Sequence, residues 1–266
     1  MSNPSRVLAV AVCLLGALAI ALFFWAPGKK PATREALRVT PAGSGTSVAS
    51  PLAPAIRGNG TISGEVQLVG TPPTMQPLKV GADPICASDS SHDEQVIATE
   101  GRLSNVFVRI ADAPPEPPPS TPVVVDQAHC IFRPRLQGAV RGQVIQIRNG
   151  DRTLHNTHGY AGGSTLFNYA QPASSQALER QLPGNSGVVK LKCDVHPWMT
   201  AFVFVTDNPY YAVTGADGRF AIHGVPAGTY RVEAWHERFG VKARKVSVGE
   251  DGTVRADFSY STEDRG

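Results

Sequence analysis

The chain lacks most of what would build a helical, haem-binding or nucleic-acid-binding protein. Beyond the N-terminus no long segment repeats apolar residues at the helical period of 3.6, so strands must build the core. Cysteine is scarce, four in 266 residues, and no Cys-x-x-Cys-His occurs, which excludes covalent c-type haem. An excess of either charge is missing as well. The 25 Lys/Arg face 22 Asp/Glu, and five Lys/Arg with one Glu fall in residues 1–40, leaving 20 against 21. A body so near neutrality offers no basic face for nucleic acid. No internal repeat is visible beyond the strand pattern itself. What is plentiful is Gly (26) and Pro (22), the punctuation of many short strands and turns. The reading is an all-β protein with a structured part of about 200 residues, enough for two packed cores.

The most informative stretch is Cys193-Asp194-Val195-His196-Pro197-Trp198-Met199. A thiolate, an imidazole and a thioether at Cys-x2-His-x2-Met spacing can be aimed at one point by a single tight loop. Val189, Leu191 and Cys193 alternate with Lys190 and Lys192, which places the sulfur on the core side of a strand end. A thiolate buried there needs a metal to stabilise it. A second imidazole, His155, follows the strand Gln143–Arg148 and its turn Asn149-Gly150-Asp151. Two His and one Cys in a plane with a weak axial Met is the ligand set of a type 1 (blue) copper electron-transfer site.

Rival metals fit less well. Zinc bound by His155, His158, Cys193 and His196 would need the first pair on one side, yet residues three apart in extended chain face opposite ways. A two-copper centre would need a second Cys four residues before Cys193, where Val189 stands.

On these residues the segment from about Pro122 to Thr206 resembles the cupredoxin family, with the short ligand loop of its amicyanin-type members. The resemblance implies a Greek-key β-sandwich holding one type 1 copper at His155, Cys193, His196 and Met199. It also implies that Asn156 gives a backbone N–H to the thiolate while its side chain ties the two ligand loops. In that family the later ligand His reaches the surface through an apolar patch, so Pro197 and Trp198 would flank a docking face for a cytochrome or an oxidase.

The C-terminal part has another character. Asp217-Gly218-Arg219-Phe220-Ala221-Ile222 and Val225-Pro226-Ala227-Gly228-Thr229-Tyr230-Arg231-Val232 are turn-plus-strand units, and Asp251-Gly252 marks a further hairpin. This pattern resembles the carboxypeptidase regulatory-like module, a small transthyretin-like β-sandwich with a carbohydrate-binding-like fold. Its usual first strand looks like Gly60–Leu68, far upstream. The division expected is therefore a sandwich split over 58–112 and 207–261 with the cupredoxin domain inserted at 113–206. In the alternative, the two domains are sequential and the early strands extend the cupredoxin sheet.

Residues 1–28 read as a signal or membrane anchor: Arg6, then nineteen uncharged residues from Val7 to Trp25, then Lys29 and Lys30. Whether it is cleaved stays open. Residues 29–57 read as a flexible linker. With Cys13 in the apolar segment and Cys193 on the metal, Cys86 and Cys130 remain, either as a disulfide in an oxidising compartment or as two separate buried thiols. Trp235-His236-Glu237 could meet His223 at a second metal site, but a surface pair is the simpler reading.

The expected function is single-electron transfer between redox partners on the exported side of the cell envelope. With four protein ligands no position is left for substrate, which argues against an enzyme. A copper chaperone or store, and a cell-surface structural or carbohydrate-binding-like protein, are the alternatives.

Overall fold

The computed structural model describes residues 58–80, 83–88 and 92–266. The expected N-terminal anchor lies outside them, and among the described residues no helix is long and apolar enough to cross a membrane. Among the described residues the one helical element is a 3-10 turn at Cys86–Ser88, and the rest is strand, turn and irregular chain.

The described residues form four sheets. The first is built on β1 (Gly60–Val69), which pairs with β3 (Arg102–Leu103), β15 (Arg219–Val225), β18 (Thr253–Arg255) and β19 (Phe258–Ser261), while β2 (Ala98–Thr99) extends it beyond β3. The second has the order β14 (Tyr211–Val213), β4 (Phe107–Ile110), β16 (Gly228–His236), β17 (Gly240–Val248). These two sheets enclose one core, in which Ile62, Val66, Leu103, Val108, Ile110, Val232 and Tyr260 are fully or nearly fully buried. Early and late segments of the chain thus share both sheets.

The other two sheets draw only on residues 123–206. One has the order β10 (Ser164–Gln171), β9 (His155–Ala161), β12 (Gly187–Lys192), β13 (Thr200–Thr206), β7 (Leu136–Val140). Its partner runs β11 (Leu178–Gln181), β8 (Val144–Asn149), β5 (Val123–Ala128), β6 (Ile131–Arg133). Val125, Ile145, Ile147, Leu191, Met199, Val203 and Val205 fill the space between them.

Strand β13 explains how the sandwiches join. Its sequence Ala201-Phe202-Val203-Phe204-Val205 is buried on both faces. The period of two sends Ala201, Val203 and Val205 into the second core, while Phe202 and Phe204 enter a third cluster with Phe107 of β4 and Leu136 of β7. Phe107 and Phe204 stack with ring centroids 4.4 Å apart. Gly138 of β7 makes the close approach feasible, since a Cβ there would meet Tyr211 Cε2 at 2.3 Å. Beside this cluster the guanidinium of Arg135 forms a two-pronged pair with Glu237, at 2.6 and 2.9 Å. The two sandwiches therefore share a cemented junction.

His236 and His223 do not meet. His223 is exposed and bonds Thr61, whereas His236 is buried and stacks on Phe239, so the surface pair expected from sequence is replaced by one core histidine.

Candidate metal centre

Three strand ends of the second sandwich meet at one place. His155 opens β9, Cys193 follows the last residue of β12, and His196 and Met199 lie on the loop that leads into β13. That loop closes on itself, with Met199 N donating to His196 O at 2.9 Å and Cys193 N to Met199 O at 3.3 Å. Pro197 fixes the backbone between them. His155, Cys193, His196 and Met199 are all at most 2% exposed.

The geometry is that of a convergent donor set. The Nδ1 atoms of His155 and His196 face each other at 2.8 Å, and Cys193 Sγ lies 3.8 Å from His196 Nδ1. One ligand atom from each of His155, Cys193 and His196 lies within 4.8 Å of the others. Cys193 Sγ accepts backbone N–H groups from Asn156 and His196, each at 3.4 Å, which favours the thiolate. Burial pushes the His155 imidazole below its ordinary value, against the opposing bond to Asp151, and so favours the neutral form that binds metals. A soft sulfur, two imidazoles and a buried thioether on the same loop fit copper.

Asn156 links the loops through its side chain. Its Oδ1 accepts from Asp194 N at 2.6 Å and Val195 N at 3.4 Å, and its Nδ2 donates to Asn168 Oδ1 at 2.7 Å and Asp194 Oδ2 at 3.0 Å. Burial raises the Asp194 carboxyl, but hydrogen bonds from His158, Asn168 and Asn156 outweigh it and hold the group below the usual carboxylate range.

What sequence reasoning missed is the carboxylate behind each candidate ligand histidine. His155 Nε2 lies 2.9 Å from Asp151 Oδ2, and His196 Nε2 lies 3.3 Å from Asp83 Oδ2. Such partners orient an imidazole toward its metal. Asp151 is held in turn by His129 N at 2.8 Å and Cys130 N at 2.9 Å. Both of those residues sit at φ +56° in the two-residue turn between β5 and β6, a left-handed geometry that aims their N–H groups at the carboxylate. Asp83 accepts from Thr153 Oγ1 at 2.6 Å and from Ile85 N at 2.8 Å, and the Thr153 bond is the main reason its carboxyl is held low. The only sequence signal was the placement of Asp151 and Asp83 beside turns.

Cys86 and Cys130 are joined by a disulfide. It draws residues 83–88 over the outer edge of His196, whose Nε2 lies 3.7 Å from Cys86 Sγ. The expectation that His196 reaches the surface is therefore corrected: it is 2% exposed because this strap covers it. Pro197 is exposed, and Trp198 is half-buried with its Nε1 donating to Cys130 O at 2.9 Å.

A family model of the carboxypeptidase regulatory-like domain matches residues 186–261. That interval takes in β12, β13 and the ligand loop, and leaves out β1, the partner of β15, β18 and β19. Among solved structures the chain is similar to a purple cupredoxin from Nitrosopumilus maritimus, at 21% identity over 32% of this chain and 99% of that one, with a TM-score of 0.28. It is also similar to amicyanin from Paracoccus versutus, at 19% identity over 37% of this chain and 96% of that one, with a TM-score of 0.29. No curated protein matches the chain. The chain is thus similar to carboxypeptidase regulatory-like domains in its C-terminal part and to cupredoxins over about a third of its length.

Proposed function

We propose that this protein binds one copper ion through His155, Cys193, His196 and Met199 and carries single electrons between envelope redox partners. The observation that supports this most is the pair of backbone N–H groups on Cys193 Sγ beside two convergent imidazole Nδ1 atoms. Bound copper would supply a one-electron couple. The chain's part is to hold the donors still: Asp151 and Asp83 fix the two rings, Asn156 fixes the loop, and the cores on either side of β13 fix the strands. Little then reorganises when an electron moves. Four protein donors leave no place for a substrate, so we assign no enzymatic role.

We place the docking face at Pro197 and Trp198, which line an open depression of about 710 Å³ together with Lys79, Val80, Asp83, Val195 and an edge of His196. A small, partly apolar face suits brief contact with a cytochrome or an oxidase. The disulfide favours an oxidising compartment, hence the exported side of the envelope. In this proposal the regulatory-like module is the inserted domain's mount, spanning 58–112 and 207–261 around residues 113–206.

The test is the optical and EPR spectrum of the full chain titrated with Cu(II), beside Cys193→Ser and Met199→Ala. An intense blue thiolate charge-transfer band with narrow copper hyperfine splitting, lost in Cys193→Ser and shifted in Met199→Ala, is expected. A colourless protein that prefers zinc would overturn the proposal. Rapid loss of copper to a competitor without redox turnover would point to copper handling instead.

A further inference from the structure

Strand β10 ends its sheet, and among the described residues only β9 pairs with it. The N–H and C=O groups along its other side therefore point away from the protein. Ser164 to Ala170 are exposed apart from half-buried Phe167. Leu166 and Tyr169 are each 42% exposed, much apolar surface for a sheet edge. Arg180 lies over the Tyr169 ring at 4.0 Å and holds it there. The rings of Phe167 and Tyr169 lie 6.4 Å apart on one side of the strand.

Charge usually blunts an open edge, which would otherwise pair with another chain. Other long terminal strands of this protein are blunted in that way: β15 carries Arg219, β11 carries Glu179 and Arg180, and β17 carries Lys242, Arg244 and Lys245. Strand β10 is not. No Asp, Glu, Lys or Arg occurs in the twenty residues from Gly159 to Leu178.

We propose that β10 is a self-association edge, pairing antiparallel with β10 of a second copy so that two five-stranded sheets become one. Charge selects this occupant. A two-fold axis sets a strand against itself, so a strand rich in one charge would meet that charge again. Strand β10 brings none, and it offers a charged peptide no counter-charge. The side chains select the register. With the axis at Asn168, Phe167 of each copy faces Tyr169 of the other and Leu166 faces Ala170. An axis between Phe167 and Asn168 would set aromatic against amide, and cross-strand aromatic pairs are the more stabilising. The bulge between Thr165 and Phe167 ends the regular run, so the contact is short and the association weak and concentration-dependent.

The edge adjoins the candidate metal centre. Asn168 Nδ2 donates to Asp194 Oδ2 at 3.0 Å, and Asn168 Oδ1 accepts from Asn156 Nδ2 at 2.7 Å. Pairing would thus hold two such centres on one sheet. The inference does not rest on the copper reading and is measured on metal-free protein.

The experiment is sedimentation equilibrium of the full-length chain in a neutral detergent over a range of concentrations. The parent is compared with Leu166→Lys, Ala170→Lys and with Leu166→Lys, Ala170→Glu. Both side chains are exposed, and circular dichroism checks that each variant folds. Segments outside β10 are the same in all three chains, so only differences count. The first variant sets lysine opposite lysine twice per dimer, and its association constant should fall by about tenfold or more. The second sets lysine opposite glutamate twice and should restore most of that loss.

Equal association of the parent and the two-lysine variant overturns the proposal. A parent that stays monomeric throughout does so too, and leaves the edge to a strand from another protein. A lysine–glutamate variant as weak as the two-lysine one overturns the register and the proposal with it. Should a variant unfold, amide exchange on the parent decides. The amides of residues 166–170 that β9 does not hold should gain protection as concentration rises, and unchanged protection overturns the proposal.

Discussion

His196 and Asp83, separated by 113 residues of sequence, meet with Nε2 and Oδ2 3.3 Å apart, and the disulfide three residues after Asp83 keeps them there. The bond closes a long stretch of chain, its cysteines lying 44 positions apart. Replacing both cysteines by serine removes a loop-closure restraint worth about 4 kcal/mol in the unfolded chain. The midpoint of guanidinium unfolding should fall accordingly. The strap should also loosen over His196, so copper transfer to an external chelator should quicken. Unchanged transfer kinetics would mean that the strap holds its place without the bond.

The convergence of Cys193 and His196 could be read directly because one short loop carries both, and tight spacing in sequence becomes tight spacing in space. Alternation along Val189-Lys190-Leu191-Lys192 likewise assigned the buried side of Cys193. The strap could be read only in part. A Cys86–Cys130 bridge tying the Asp83–Ile85 loop to the β5 end is one of the two readings the cysteines allow, and it is the one formed. Nothing local to Asp83, between β1 and β2, says that its carboxylate will lie against His196. The burial of both faces of β13 was hidden for the same reason. Phe202 and Phe204 alternate with Val203 and Val205, but only the presence of Phe107 across the junction decides that they face protein and not water.

Asn156→Ala should test how far second partners control the centre. The side chain satisfies Asp194 N and Val195 N and bridges to Asn168, all of which are lost in alanine. The N–H that Asn156 gives to Cys193 Sγ is main chain and survives. Copper affinity should therefore fall by about 10- to 100-fold while the thiolate charge-transfer band remains. A competition titration read at that band separates the two effects, and loss of the band itself would contradict the assignment.

Gly138→Ala should injure the junction and not the metal. The new methyl would lie 2.3 Å from Tyr211 Cε2 and 2.6 Å from Phe107 Cε2, too close for either ring to remain. Overpacking of this kind costs about 1–3 kcal/mol. Thermal unfolding should show the loss, with the copper spectrum unchanged because the clash is at the β13 face opposite Cys193 and Met199. A Tyr211→Ala change in the same chain should recover part of it by vacating the space. If the spectrum shifts instead, the two faces of β13 are mechanically coupled.

The pH dependence of stability should carry the signature of His236. Burial, followed by the positive charges of Arg135 and Arg238, pushes this imidazole down to about 4. Its Nδ1 accepts from Arg238 N at 3.2 Å, and its ring stacks on Phe239, so the folded protein keeps it neutral. An unfolded chain protonates the same group near about 6.5. Below that value the unfolded state holds a proton that the folded state refuses. Stability from this group is therefore complete above about 6.5 and is lost as pH falls toward about 4, by about 3 kcal/mol in all. His236→Phe preserves the ring packing but removes the titration. It should be less stable than the parent near neutrality by about 1 kcal/mol for the lost hydrogen bond, and more stable than the parent at pH about 4.5. The carboxylates are the same in both proteins and cancel in the difference. Denaturant unfolding at several pH values should give curves that cross, and parallel curves would show that His236 already takes a proton in the folded core.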